Sequence, residues 1–302
     1  GVTRIIKGAV LVIDATTKVQ VGTVKHWNFL RKRGIPTFIY VNKMDKENIV
    51  FEDVLEDIRE KLGKTAVPFC YPLGHEDKFD GFCNVVDLKA RIFNGTECVD
   101  AEIYEDKRMK VFELHNMIVE AVAGTDDELL EKFFMGETLT NEEIHRGLRK
   151  GVLDGELIPV LVGSATKNIG IHTMLDMFID YLPNPSDLKP YEAENEKGEI
   201  VERKTSTDEP FSAYVFKTIV DPYSGIINLF KINSGTLKSG DEVRVSNGDT
   251  VKISALYVMT GKNLNAVDEL HAGDIGAVTR LEKVSSGMTL SDTKNVITYK
   301  PV

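Results

Sequence analysis

Two stretches of the chain, "KGAVLVIDAT" from Lys7 and "IPTFIYVNKMD" from Ile35, are nearly unbroken apolar runs, the pattern of parallel strands covered on both faces. Between them Val24, Trp27 and Leu30 recur at helical spacing, and Gly34 and Pro36 stop the helix. After the second run Phe51, Val54, Leu55, Ile58 and Leu62 trace one helix face that ends at Gly63. Strand, helix, strand, helix is the signature of an open α/β sheet. Further on, "LIPVLVGSAT" from Leu157 reads as another buried strand. Ile171, Met174, Leu175, Phe178, Ile179 and Leu182 then form a helix stripe closed by Pro183.

The region between these repeats has a different texture. Short strands are expected around "FCNVVDLKARIF", and Thr125 with Glu128 and Thr140 with Glu143 have the spacing of helix-capping boxes. A segment this long between two α/β repeats predicts a domain inserted into the sheet domain. After Pro183 the sequence turns polar and suggests a strand-poor connector. From about residue 209 the period becomes two: "FSAYVFKTIV", "GIINLFKINSG", "DEVRVSNGDTVKISALYV" and "DIGAVTRL" are short strands set off by Gly and Asn, with Asn247-Gly248 a hairpin signal. A small β-barrel is the natural architecture. The expected division is a sheet domain from residues 1–66 and 158–190, an inserted subdomain 67–157, a linker 191–208, and a barrel 209–302.

With 302 residues, 42% of them hydrophobic and 28% charged, the chain exceeds what one core usually holds. Its apolar runs are far shorter than the roughly 20 residues that span a bilayer. Cys70, Cys83 and Cys98 are odd in number and not in CxxC spacing, and the six histidines have no ligand spacing. A reducing cytoplasm fits this usage, and no metal ligands are read. The net charge is −10, and residues 209–302 carry ten Lys and Arg against ten Asp and Glu, so the acid excess lies before them. That excludes a broad basic face of the kind that binds DNA, while leaving room for local contact with RNA.

The chemistry gathers where the second apolar run ends in Asn42, Lys43 and Asp45. In an open parallel sheet, ligands sit beyond the carboxyl ends of the strands. A carboxylate there can accept two hydrogen bonds from guanine, from its ring N–H and its exocyclic amino group, and adenine offers no matching pair. Leaving that acceptor desolvated and unpaired costs on the order of 1.5 to 3 kcal/mol, which makes Asp45 a discriminating group. Lys43 can lay its methylene stem over the base, and Asn42 can tie neighbouring loops to it. Ser164 and Ala165, after the strand "PVLV", supply the second half. The Ala165 N–H is expected to point at the guanine carbonyl. A lone NKxD arises by chance in a chain of this length on the order of a few times in a hundred, but two such strand ends support one another. Gly63, Lys64 and Thr65 spell the end of a GxxxxGK[ST] phosphate loop. The first Gly of that motif would fall at Ile58, so the triplet reads as a helix cap. The guanine half of a GTP site is present, without a phosphate loop or a DxxG.

Read in order, "GAVLVIDA", "VNKMDK", "PLGHEDKFDGFCNVVDL", "DDELLEKFFMGETLTNEEI", "GSATKNIGIHTMLDMFIDYLPNP", "EPFSAYVFKTIVDPYSGIINLFKINSGTL" and "HAGDIGAV" closely resemble bacterial translation elongation factor G or its paralogues, from end to end. The resemblance implies an α/β fold, an incomplete P-loop-GTPase-type parallel sheet with an inserted α+β subdomain, followed by an all-β barrel. It implies guanine contacts by Asn42, Lys43, Asp45, Ser164 and Ala165. It further implies that the phosphate loop, the Mg2+ ligands and the catalytic residues precede Gly1, that more domains follow Val302, and that this chain is a central fragment without catalytic residues. Family members use GTP, returning GDP, to drive tRNA and mRNA movement on the ribosome, in contact with its RNA and proteins. Some paralogues recycle ribosomes instead, and release-factor-like or ribosome-protection roles exist. A non-catalytic ribosome- or RNA-binding module is the reading from another class. If the sheet lacks N-terminal strands, "GAVLVIDAT" is expected to have an uncovered edge, with disorder or an intermolecular contact at residues 1–8.

Overall fold

The computed structural model describes residues 5–300, so the first half of the expected 1–8 segment lies outside the described residues. The chain divides into two compact units, Lys7–Leu182 and Pro183 onward together with Ile5 and Ile6.

The first unit begins with β1 (Ala9–Asp14), α1 (Val21–Lys32), β2 (Thr37–Asn42), α2 (Phe51–Leu62) and β3 (Ala66–Pro68). An antiparallel sheet follows, made of β4 (Cys70–Leu73), β5 (Gly81–Asn84), β6 (Lys89–Phe93) and β7 (Cys98–Ala101). Then come α3 (Glu105–Ala123), α4 (Asp127–Phe134), α5 (Asn141–Leu153), β8 (Ile158–Val162) and α6 (Ile171–Tyr181). β8 returns to the first sheet, whose order is β1-β2-β8-β3 with all pairs parallel. The inner strand β8 is buried throughout, and so is β2 up to its last residue Asn42, as their apolar runs require. β1 behaves differently. It lies at the edge, with Leu11 and Ile13 packed inward and Val12 58% exposed, so its run covers one face only.

The five apolar residues of α2 are all buried, and Gly63, at φ +117°, caps the helix with its N–H on the Arg59 carbonyl at 3.2 Å. The Gly63-Lys64-Thr65 triplet is therefore a helix terminus. In α6 the expected stripe is only half right: Thr173, Met177 and Tyr181 are buried and Met174 and Phe178 pack beside them, while Leu175 and Ile179 turn outward. The helix is apolar around most of its circumference, so spacing alone does not choose a face. At α5 the Thr140–Glu143 capping box is complete in both directions. At α4 the cap is Asp126, whose carboxylate accepts the Glu128 N–H at 3.0 Å. Thr125 is buried and gives its hydroxyl to the Val122 carbonyl in the last turn of α3, so it is not available to cap. Three side chains tie this region together. His145 of α5 lies 2.9 Å from Asp87 through Nε2 and 2.6 Å from the Tyr181 hydroxyl through Nδ1.

In the second unit, residues expected to be a connector form strands. β9 (Tyr191–Asn195) and β10 (Ile200–Arg203) are an antiparallel hairpin, joined on β9 by the last strand β21 (Ile297–Thr298). Their alternating sequence buries Ala193 and leaves the glutamates outside, which makes a half-buried hairpin look like polar linker. The remaining strands are β11 (Ser212–Asp221), β12 (Gly225–Ser234), β13 (Thr236–Lys238), β14 (Glu242–Val245), β15 (Thr250–Lys252), β16 (Leu256–Thr260), β17 (Asn263–Val267), β18 (Glu269–His271), β19 (Ile275–Thr279) and β20 (Thr289–Asp292). Eight of them form one antiparallel sheet, β15-β14-β20-β11-β12-β19-β16-β17, and β13 pairs with β18. Register shifts in β11 at Ser212/Ala213 and Val215/Lys217 curl it around a core of Val215, Phe230, Ile232 and Leu290. The Asn247-Gly248 signal is the turn between β14 and β15, with Gly248 at φ +99°. Gly235 is required where it stands: at φ +73°, a Cβ there would lie 2.6 Å from the Phe211 Cα. Among the described residues no helix is long and apolar enough to cross a membrane.

Candidate functional site

β1, β2 and β8 run parallel and end together, with Asp14 opposite Asn42 and Val41 opposite Val162. Three loops therefore leave the sheet at one rim, the place where an open α/β sheet binds ligands. The backbone stitches them: Ala15 N–H donates to the Asn42 carbonyl at 3.0 Å, Gly163 N–H to Val41 at 3.0 Å, and Met44 N–H to Gly163 at 3.2 Å. Gly163 has no room for a side chain, since a Cβ would lie 2.2 Å from the Tyr40 hydroxyl and 2.3 Å from the Ile169 carbonyl. That Tyr40 hydroxyl donates to Ile169 at 3.2 Å, and burial pushes its pKa well up.

Asn42 is the hub. Its Oδ1 accepts the Lys43 N–H at 2.8 Å and the Ala165 N–H at 2.9 Å. The Ala165 N–H that the sequence aims at a ligand carbonyl is thus donated to Asn42 in this structure, because the end of β2 brings that amide oxygen beside it. Lys43 sits at φ +66°, a left-handed conformation uncommon for a residue with a side chain. Its ammonium meets Asp14 Oδ2 at 2.6 Å. Met44 is buried and holds the turn down, which leaves Asp45 at its rim. The Asp45 side chain is only 6% exposed. Its Oδ1 is buried with no hydrogen-bond partner, and Oδ2 has Lys46 Nζ at 3.8 Å. A desolvated carboxylate oxygen without a donor is costly, and such groups call for an explanation.

On the opposite loop, Ser164 is fully buried and exchanges both backbone hydrogen bonds with Ile169, each at 3.0 Å. Its hydroxyl accepts the Lys167 N–H at 3.4 Å. Ala165 is exposed at the loop tip. The structure therefore brings Asn42, Lys43, Asp45, Ser164 and Ala165 to one rim. It adds Asp14, Tyr40 and Gly163, which sequence reasoning passed over. For Asp14 the signal was present, because "GAVLVID" ends an apolar run in a polar side chain just as "FIYVN" does. Lys43 and Thr16 beside it hold the Asp14 carboxyl below the usual carboxylate range. Among the described residues no three His, Cys, Asp or Glu side chains are grouped as a metal site.

A parallel sheet with this rim of loops, followed by a curled antiparallel β domain, defines a nucleotide-binding class of α/β protein joined to a barrel. Residues 1–184 match the elongation factor Tu GTP binding domain family, and residues 210–293 match elongation factor G domain 2. The chain belongs to the elongation factor GTP-binding family and is an elongation factor G-like translation factor. It is similar to a crystal structure from Thermus thermophilus at 29% identity and a TM-score of 0.81, over 97% of this chain and 41% of that one. The chain thus spans well under half the length of that relative.

Proposed function

We propose that the rim formed by Asn42, Lys43, Asp45, Ser164 and Ala165 recognises the guanine base of GTP and GDP. The observation that carries this reading is the buried Asp45 Oδ1 without a donor. The donor set fits the group: the ring N–H and the 2-amino group of guanine are two parallel donors, and a carboxylate accepts both at once. Lys43 supplies an apolar stem beside the base. Asn42, by holding Ala165, keeps the two loops at one separation, and Ser164 anchors the second loop from beneath.

In the whole protein, this recognition serves GTP hydrolysis coupled to tRNA and mRNA movement on the ribosome, in the cytoplasm. These residues account for the base alone: the sequence contains no GxxxxGK[ST] loop to cradle the phosphates. Residues 67–157 act as a subdomain inserted into the nucleotide-binding domain of 1–66 and 158–190, and 209–302 as the barrel. Phosphoryl transfer is catalysed by positioning and charge around the phosphates, so the 302-residue chain alone does not hydrolyse GTP. Calorimetry with GDP and ADP tests the reading. The intact protein is expected to bind GDP and reject ADP, and the isolated chain to bind GDP more weakly than on the order of micromolar. Equal binding of GDP and ADP by the intact protein overturns the base assignment. Turnover by the isolated chain overturns its inactivity.

A further inference from the structure

A buried carboxylate oxygen lacking a donor stands two residues from a lysine, yet the lysine does not turn to it. Lys43 and Asp45 flank Met44 on one turn, and a four-carbon stem is long enough to bring the ammonium back onto its neighbour. It is held elsewhere. Asp14 Oδ2 takes the Lys43 ammonium at 2.6 Å. The other oxygen of Asp14 is fixed in turn by the Thr16 N–H at 3.0 Å and the Thr16 hydroxyl at 2.6 Å. The carboxylate is therefore aimed before it meets the lysine. The backbone of Lys43 is equally fixed, by its own N–H on Asn42 Oδ1 at 2.8 Å and by its carbonyl, which accepts the Lys46 N–H at 3.1 Å. Strand register sets the whole device, because Asp14 is paired with Asn42 at the ends of β1 and β2.

We infer that Asp14 is a positioning residue for base selection: by holding the Lys43 ammonium at the β1 side of the rim, it keeps the Asp45 carboxylate open to a purine with paired donors and lays the Lys43 stem along one line. Asp14 touches no base. It acts through Lys43, and the inference rests on the guanine reading above. The hydrogen bonds from Lys43 and Thr16 lower the Asp14 carboxyl pKa, in keeping with a carboxylate fixed on that ammonium.

Without this hold, a released ammonium competes with the base for Asp45. The competition falls hardest on the purine that uses the carboxylate most fully. Hypoxanthine lacks the 2-amino group of guanine, so the ratio of inosine to guanosine diphosphate dissociation constants reads how far Asp45 is available. In the intact protein, displacement of a fluorescent GDP analogue by GDP and by IDP is expected to give a ratio of roughly tenfold or more. Asp14→Asn keeps the shape and an oxygen for the Thr16 donors but frees Lys43. It is expected to weaken GDP binding and reduce the ratio about fivefold. Asp14→Glu, which restores the charge, is expected to recover part of the ratio. In a Lys43→Ala background, Asp14→Asn is expected to leave the ratio unchanged. Lys43→Ala alone, which disturbs no buried group, is expected to weaken GDP binding while keeping the ratio, and this arm stands even if an Asp14 variant fails to fold.

Equal weakening toward GDP and IDP by Asp14→Asn overturns the inference, as does a loss of ratio that persists without Lys43 or a collapse of the ratio in Lys43→Ala. Those outcomes leave the guanine reading intact, since the unmodified protein still discriminates. An unmodified protein that binds GDP and IDP alike removes both.

Discussion

The side-chain oxygen of Asn42 accepts the backbone N–H of Ala165 at 2.9 Å, joining two loops that lie far apart in sequence. The same oxygen holds the Lys43 N–H, so one amide serves as acceptor for both loops. Asn42→Ala is expected to lower stability by about 1 kcal/mol, the low end for a hydrogen bond at a partly exposed site. The more specific expectation is faster hydrogen exchange at Ala165 and Lys43, with the strands β2 and β8 still protected. Unchanged exchange at Ala165 argues against Asn42 as the hub.

Asp45→Asn replaces an acceptor with a group that also donates. In the intact protein it is expected to shift preference from guanine toward xanthine nucleotides, whose 2-oxo group accepts from the new amide. The loss of GDP affinity is expected to be on the order of tenfold or more, because a charge-assisted pair is exchanged for a mismatch. Competition between GDP and XDP for one fluorescent analogue measures it. Retained guanine preference removes Asp45 from base selection.

Gly163→Ala places a methyl group against the Tyr40 hydroxyl and the Ile169 carbonyl, at 2.2 Å and 2.3 Å before relaxation. Overpacking of this kind costs about 1–3 kcal/mol. Chemical denaturation of Gly163→Ala beside Gly163→Ala/Tyr40→Phe separates the two obstructions, and recovery in the double variant identifies the hydroxyl as the main one.

The His145–Asp87 pair predicts a pH window. The hydrogen bond that His145 donates to Asp87 raises the His145 pKa, and the same bond lowers that of Asp87. A raised histidine contributes its full stability below the ordinary histidine value and loses it as pH rises through the higher folded value. A depressed carboxylate contributes above the ordinary value and loses it as pH falls through the lower one. The clamp is therefore strongest in mildly acidic solution, between those two limits. Both side chains are about a third exposed, so solvent screening keeps the effect modest. The denaturation midpoint is expected to differ between the unmodified chain and His145→Gln at mildly acidic pH, and the gap to narrow in alkaline solution. A gap that widens there contradicts the assignment.

How much of this was readable beforehand depends on what each residue's surroundings add. The α2 face from Phe51 to Leu62 was legible because one side of that helix is polar and the other apolar. α6 was not, since Leu175 and Ile179 are as apolar as the residues that do pack. β9 and β10 hid as linker because their outward positions are glutamates, and burial of a single Ala193 leaves little trace in a sequence. At the rim, the strand-ending polar residues of β2 and β8 stood out against apolar runs. Asp14 ended such a run too, but its meaning depends on a partner on another strand, and pairing across strands is a property of register. The direction of the Ala165 N–H was likewise out of reach, because it is set by where the Asn42 amide comes to rest.

The paired backbone bonds between Ser164 and Ile169 close the segment between them into a bight whose two ends are pinned to the sheet rim. Thr166 and Lys167 ride on the outside of it, exposed. The backbone bonds that close the bight do not run through the side chains of Thr166 and Lys167, although the Thr166 hydroxyl lies 3.4 Å from the Ser164 hydroxyl. Those two positions are where an optical reporter can be attached beside the rim without entering it, so that the same bight that fixes the loop offers a handle for watching it.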